Sequence, residues 1–173
     1  DDVESRGLGD VYKRQMYTLA DILNDKCETL DIRGVAHKGF FASITDFPSY
    51  YAANMALLNY KSAQELFHDN WPIYTRTNDS CPTQYFNTAD VKNSVISNGC
   101  QIEGTVENSV IGRGCVIKKG AVVRNTVLLP GAYVGEDVHV ENQVVDKRAK
   151  LLHAKEIIEN VDNPGYIKRN DTV

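Results

Sequence analysis

A short motif returns four times in the second half of this 173-residue chain, and that recurrence constrains the fold more than any other feature. Asn93-Ser94-Val95-Ile96 reappears as Asn108-Ser109-Val110-Ile111, Asn125-Thr126-Val127-Leu128 and Asn142-Gln143-Val144-Val145, at spacings of 15, 17 and 17. A finer period of six runs inside it. Positions 110, 116, 122, 128, 134 and 140 are Val, Val, Val, Leu, Val and Val, and 111, 117, 123 and 129 beside them are Ile, Ile, Val and Leu. Six matches neither the 3.6 of a helix nor the two of an alternating strand. It fits a triangular, left-handed parallel β-helix of hexapeptide repeats, in which each side is one short strand with an inward aliphatic residue and each corner a turn tolerated by Gly or Asn. Three sides give a coil of about eighteen residues, so spacings of 15 and 17 mean trimmed corners. A β-sandwich is the rival fold, but its strands recur every 8–12 residues or so with a period of two.

Three expectations follow. The column 110, 116, 122, 128, 134, 140 should point inward, so that Val122→Asp would unfold the solenoid. Asn93, Asn108, Asn125 and Asn142 should form a side-chain ladder at one corner. Cys100 and Cys115, each seven residues past a repeat Asn, should stack in adjacent coils near disulfide range; reduced, buried thiols are the reading we adopt. Three to four coils are expected, enough to bury a core.

The rest divides by composition and pattern. Residues 16–60 read as a remnant of an α/β domain. Thr18 can cap a short helix, Leu30–Val35 and Phe40–Ile44 suit strands, and Asp46-Phe47-Pro48 opens a helix with Tyr51, Met55 and Leu58 on one packing face. Residues 61–90 read as a connector, 91–153 as the β-helix, and 154–173 as a closing cap or tail. Asp1–Gln15 stands apart. Ser5–Gln15 resembles the in-frame translation of a transposon sequencing adaptor, so residues 1–15 are expected to be a non-native, disordered tail and the chain a fragment whose Met16 need not be a true start.

Composition excludes several classes of function. A net charge of −4 and a pI near 5.6, with no basic run longer than Lys118-Lys119 or Lys147-Arg148, argue against a nucleic-acid partner. No apolar run approaches the roughly 20 residues of a membrane helix. Four cysteines without a C-x-x-C pair, and no secretory signal, point to reduced thiols and a cytoplasmic location. Phosphate-binding glycine loops and a G-x-S-x-G elbow are absent. The candidate chemistry is thin. Of His37, His68, His139 and His153, His139 stands out because it lies on the β-helix, where a hexapeptide-repeat acyltransferase would place a general base; an exposed polar position in an alternating strand is the reading we prefer for it. Arg113 with Lys118 and Lys119 could face an anion, or simply solvent.

Phe40–Asn54, Asn70-Trp71-Pro72-Ile73-Tyr74-Thr75 and Val91–Ile111 together resemble the bacterial glucose-1-phosphate adenylyltransferase family, and the likeness runs through Gly120–Val123 and Val144–Lys147. It covers residues 16–150. The resemblance implies an α/β nucleotidyltransferase domain upstream, which would join ATP and glucose 1-phosphate into ADP-glucose for glycogen, and a C-terminal β-helix serving assembly and effector response. Magnesium and ATP would belong to that missing domain or to a partner subunit, so no cofactor, metal or catalytic residue is carried over. Catalytic members have Gly-Tyr-Trp-x-Asp-Val-Gly-Thr where this chain has Gly39-Phe40-Phe41-Ala42-Ser43-Ile44-Thr45-Asp46. Ser43 takes the acidic position, and a hydroxyl cannot supply the carboxylate that Mg²⁺ favours. That pattern resembles the family's non-catalytic, regulatory D-type subunit, which implies a hetero-oligomer, a tetramer, with a catalytic subunit. The alternatives are a catalytic subunit and an acyltransferase using His139.

Overall fold

The computed structural model describes residues 18–67, 72–74 and 79–173. The adaptor-like tail, His68 and part of the Asn70–Thr75 motif lie outside the described residues. Two units are distinguished, residues 1–38 and 39–173.

In the first unit, helix α1 spans Leu19–Lys26. Thr18 caps it as expected: its hydroxyl accepts from the Asp21 N–H, and the Asp21 carboxylate accepts from the Thr18 N–H at 2.9 Å. Those Thr18 bonds hold the Asp21 carboxyl below its ordinary pKa.

Neither strand expected between Leu30 and Ile44 forms; the described residues 27–46 carry no strand. The physical reason is the absence of a partner. A half-buried strand needs another ladder and a core face, whereas Leu30, Ile32, Val35, Phe41 and Ile44 are all exposed.

The second unit opens with two helices, α2 over Phe47–Ala56 and α3 over Tyr60–Leu66. Asp46 caps α2 in a reciprocal box with Ser49, and Pro48 sits in the first turn where its missing N–H costs nothing. Among the described residues, fifteen short strands follow. They are β1 (Gln84–Tyr85), β2 (Asp90–Lys92), β3 (Val95–Ile96), β4 (Gln101–Ile102), β5 (Thr105–Glu107), β6 (Val110–Ile111), β7 (Val116–Ile117), β8 (Val122–Arg124), β9 (Val127–Leu128), β10 (Tyr133–Val134), β11 (His139–Glu141), β12 (Gln143–Val145), β13 (Lys150–Leu151), β14 (Glu156–Ile158) and β15 (Gly165–Ile167).

They form three five-stranded parallel sheets: β1-β4-β7-β10-β13, β2-β5-β8-β11-β14 and β3-β6-β9-β12-β15. Each sheet takes every third strand, which is the topology of a parallel β-helix and confirms the fold class. The sheets run from Gln84 to Ile167, beyond the 91–153 read from the sequence at both ends. Val173 lies against the coil that carries β13: the N–H groups of Leu152 and His153 donate to its carbonyl at 2.7 and 2.8 Å.

The inward columns are paired in register. Ile102, Ile117, Val134 and Leu151 line the first sheet, Val106, Val123 and Val140 the second, and Ile111, Leu128 and Val145 the third, all at 0–1% exposure. This corrects the expected column. Val110, Val116 and Val122 face outward and are only half-buried. From Ile111 the inward positions fall at 117, 123, 128, 134, 140, 145 and 151, so the true repeat is six, six, five. A strict six starting at Val110 begins on the outer face and slips inside at Leu128.

The five-residue side ends in the Asn corner. Asn93, Asn108, Asn125 and Asn142 all adopt left-handed backbone, φ 42° to 56°, which Asn tolerates better than other non-glycine residues. Their expected side-chain ladder is limited to one rung among the described bonds, Asn93 Nδ2 donating to Asn108 Oδ1 at 2.7 Å. The continuous ladder belongs to the next residue. Ser109 Oγ donates to the Glu107 carbonyl at 2.7 Å and accepts the Thr126 N–H at 3.1 Å. Thr126 Oγ1 donates to the Arg124 carbonyl at 2.6 Å and accepts the Gln143 N–H at 3.4 Å. Both hydroxyl residues are fully buried, so each satisfies backbone groups that water cannot reach.

Candidate functional site

The solenoid presents three outer faces, and each strand's outward residue decides what its face can do. On the third sheet these are apolar. Val127 and Val144 point out yet are 1% exposed, because α2 lies over them. Tyr51 is buried there, with Phe47, Tyr50 and Met55 packed beside it. The sequence placed Tyr51 and Met55 on this packing face correctly; Leu58 falls beyond the end of the helix and outside the cluster. Tyr51 Oη donates to the Asn125 carbonyl at 2.5 Å. Burial, with a smaller push from Glu141, raises its pKa above the ordinary 10.0. Phe47 meets Tyr166 edge to face, with ring centroids 5.7 Å apart, and Tyr166 Oη donates to Asp146 Oδ2 at 2.7 Å. A corner carbonyl and the last strand thus fix the helix to the solenoid.

The second sheet carries charge outside. Lys92, Glu107, Arg124 and Glu141 stand in register on successive strands, alternating in sign. Arg124 Nε lies 3.2 Å from Glu107 Oε2, and Lys92 Nζ 2.9 Å from Asp90 Oδ2. Such exposed pairs add little stability but suppress wrong edge or face pairing.

His139 belongs to this face, on β11 between Val122 and Glu156. Its Nε2 is buried, lies 3.5 Å from Glu141 Oε2 and makes no hydrogen bond. A carboxylate beside an imidazole could orient a base, but no described nucleophile stands with it.

Arg113 and the Lys118-Lys119 pair, read from the sequence as facing either an anion or solvent, sit at different corners. Arg113 lies at the corner between β6 and β7, and Lys118-Lys119 at the corner between β7 and β8. Lys118 Nζ is bound to Glu103 Oε1 at 2.7 Å, which raises its pKa, so its charge is already met. Lys119 turns instead toward a cavity shared with Glu136 and Asp137.

Cys100 and Cys115 stack at one corner in adjacent coils as expected, buried and unbonded. Cys100 Sγ donates toward carbonyls of Ser97 and Gly112 at 3.2 and 3.1 Å. A hydrogen bond with Cys100, and burial, push the Cys115 thiol well above its ordinary pKa, so it behaves as a small core residue. His37, Ser43 and His153 are exposed. Among the described residues no group of three or more His, Cys, Asp or Glu side chains could hold a metal ion, and no helix is long and apolar enough to cross a membrane.

Comparison with known proteins agrees with this architecture. Residues 82–164 match a family model described as GlmU-like, C-terminal hexapeptide. The chain is 30% identical over 152 residues to the glycogen biosynthesis protein GlgD of Bacillus subtilis strain 168, covering 88% of this chain and 44% of that protein. It is 35% identical over 108 residues to glucose-1-phosphate adenylyltransferase of Fervidobacterium nodosum, covering 62% and 26% respectively. It is 34% identical over 116 residues to GlgD of Geobacillus stearothermophilus, covering 67% and 34%. The chain spans less than half the length of each of these relatives.

Proposed function

On the premise that this chain is a homologue of GlgD and glucose-1-phosphate adenylyltransferase proteins over part of their length, we propose that it acts in glycogen biosynthesis as part of a regulatory subunit. In this reading it assembles with a catalytic subunit, as a hetero-oligomer in the cytoplasm, and supports ADP-glucose formation there from ATP and glucose 1-phosphate. The observation that carries the reading is Ser43. It stands, exposed, just ahead of the Asp46 cap, where the resembling catalytic motif has its Asp. Magnesium and nucleotide would then be held by the partner.

The α2–solenoid unit supports an assembly role. One outer face is closed by α2, and the second sheet presents an exposed, charge-patterned surface of the kind a partner's complementary charges can meet. The test is pyrophosphate release by a catalytic adenylyltransferase subunit with and without this chain. The reading expects the rate or its effector response to change on mixing, and an Arg124→Glu reversal in the charge column to weaken that effect. No change at any ratio would contradict it.

A second reading is a catalytic subunit, motivated by the 35% identity over 108 residues to the Fervidobacterium enzyme. It requires adenylyltransferase activity without a partner when this chain is joined to an upstream nucleotide-binding domain. The acyltransferase reading rests on His139 beside Glu141, and expects acetyl-CoA-dependent transfer that His139→Ala abolishes.

A further inference from the structure

One corner of the solenoid is notched, and the notch originates in the 15-residue repeat. Between the inward residues of the first and second sheets the chain takes six steps at Ile117–Val123, Val134–Val140 and Leu151–Ile157, but only four at Ile102–Val106. The missing pair draws Gly104 tight against the next coil. A Cβ there would fall 2.8 Å from the Lys118 carbonyl oxygen and closer still to that of Ala121, so only glycine fits. The neighbouring corners, two residues longer, project past it as walls.

The result is a cavity of about 480 Å³ with Gly104 as its floor, lined by Thr88, Thr105, Lys119, Gly120, Glu136 and Asp137. That volume lies within the ~300–1,000 Å³ of small-molecule sites. Asp137 Oδ1 occupies the place where a Cβ on Gly120 would fall, so this glycine lets the carboxylate lie down in the notch.

We propose that the notch binds a neutral, hydroxyl-rich small molecule of the saccharide class. Two carboxylates accept from ligand hydroxyls, while one ammonium and the Thr105 hydroxyl donate to them; the Thr88 hydroxyl is already committed to the Glu103 carbonyl at 2.7 Å and can only accept, which leaves the mixed inventory a polyol needs. Two acidic groups against Lys119 disfavour a phosphorylated ligand. Lys155 Nζ donates to the Glu136 carbonyl at 2.8 Å and does not line the cavity. Among the described residues no aromatic ring lines the cavity, so the affinity expected is modest. This assignment stands apart from the glycogen reading, since it concerns a ligand and not a partner subunit.

The test is ¹H–¹⁵N correlation spectroscopy of the full chain titrated with maltotriose, sorbitol and glucose 1-phosphate. Saturable shifts centred on the Gly104, Thr105 and Gly120 amides with maltotriose are expected. Asp137→Asn keeps the left-handed backbone at this position (φ 57°) and should weaken binding ~tenfold without moving the melting temperature. Thr105→Val provides a second variant with the same expectation. Sorbitol shifting the same amides would point to a general polyol site, and maltotriose alone to a ring-selective one, both within the proposal. Absence of saturable shifts, or tighter binding of glucose 1-phosphate than of maltotriose, would overturn it.

Discussion

The Tyr51 hydroxyl donates a 2.5 Å hydrogen bond to the carbonyl oxygen of Asn125, tying helix α2 to a corner residue whose left-handed backbone turns that carbonyl outward (φ 44°). Tyr51→Phe keeps the ring and removes only this bond. The expected loss is about 1 kcal/mol, read as a drop in urea midpoint with an unchanged slope. An unchanged midpoint would show that the bond contributes nothing net.

The same tyrosine predicts alkaline behaviour. Burial raises its folded pKa above the ordinary 10.0. Its contribution to stability is therefore fully present below pH 10 or so, and is lost as pH rises through the folded value, because the unfolded chain ionises first. Stability should fall above about pH 10, and Tyr51→Phe should flatten that fall relative to the wild type. Parallel profiles would contradict the assignment.

Val122 and Val123 form a paired test of register. Val123 is fully buried on the inner face, whereas Val122 is half-buried on the outer one. Val123→Asp should abolish cooperative melting, since an unpaired carboxylate in this core costs more than about 4 kcal/mol. Val122→Asp should leave a folded protein. The reverse order would mean that the register is wrong by one residue.

Thr126 tests the hydroxyl ladder. Thr126→Val is close in shape but leaves the Arg124 carbonyl and the Gln143 N–H without their buried partner. A loss of about 1–3 kcal/mol is expected in chemical denaturation. Asn125→Ala tests the neighbouring requirement, and should cost roughly 1 kcal/mol through the left-handed backbone, with Asn125→Gly milder.

Thiol labelling separates the cysteines. Cys27 and Cys81 are exposed, and Cys100 and Cys115 buried. Two thiols should react rapidly in the native state, and the other two only at the rate of unfolding. Rapid labelling of all four would mean the solenoid opens at that corner.

The solenoid was legible because its coils stack like on like, so a column in space is a period in sequence. Ile111, Ile117 and Val123 carry that signal directly. The phase was harder to read. Outward Val110, Val116 and Val122 are as aliphatic as the inward residues: Val110 shares the third sheet's outer column with Val127 and Val144, which lie under α2, and Val116 and Val122, on the other two sheets, suit half-buried strand surfaces. Asn125 was visible as a repeat residue, but its role was conformational; the hydrogen bonds belong to Thr126, which shares its position with Ser94 and Ser109 and so varies in letter while keeping its hydroxyl. The strands expected at Leu30–Val35 and Phe40–Ile44 failed because pattern alone cannot supply a partner. Lys118 was drawn to Glu103, a residue fifteen positions away that only the coil stacking brings near.

The central claim, that this chain works through a catalytic partner, is tested most directly by light-scattering mass of the chain alone and mixed with a catalytic glucose-1-phosphate adenylyltransferase subunit. The account predicts a stable species containing both chains, weakened by Arg124→Glu without loss of folding. Two species of unchanged mass at every mixing ratio would contradict it.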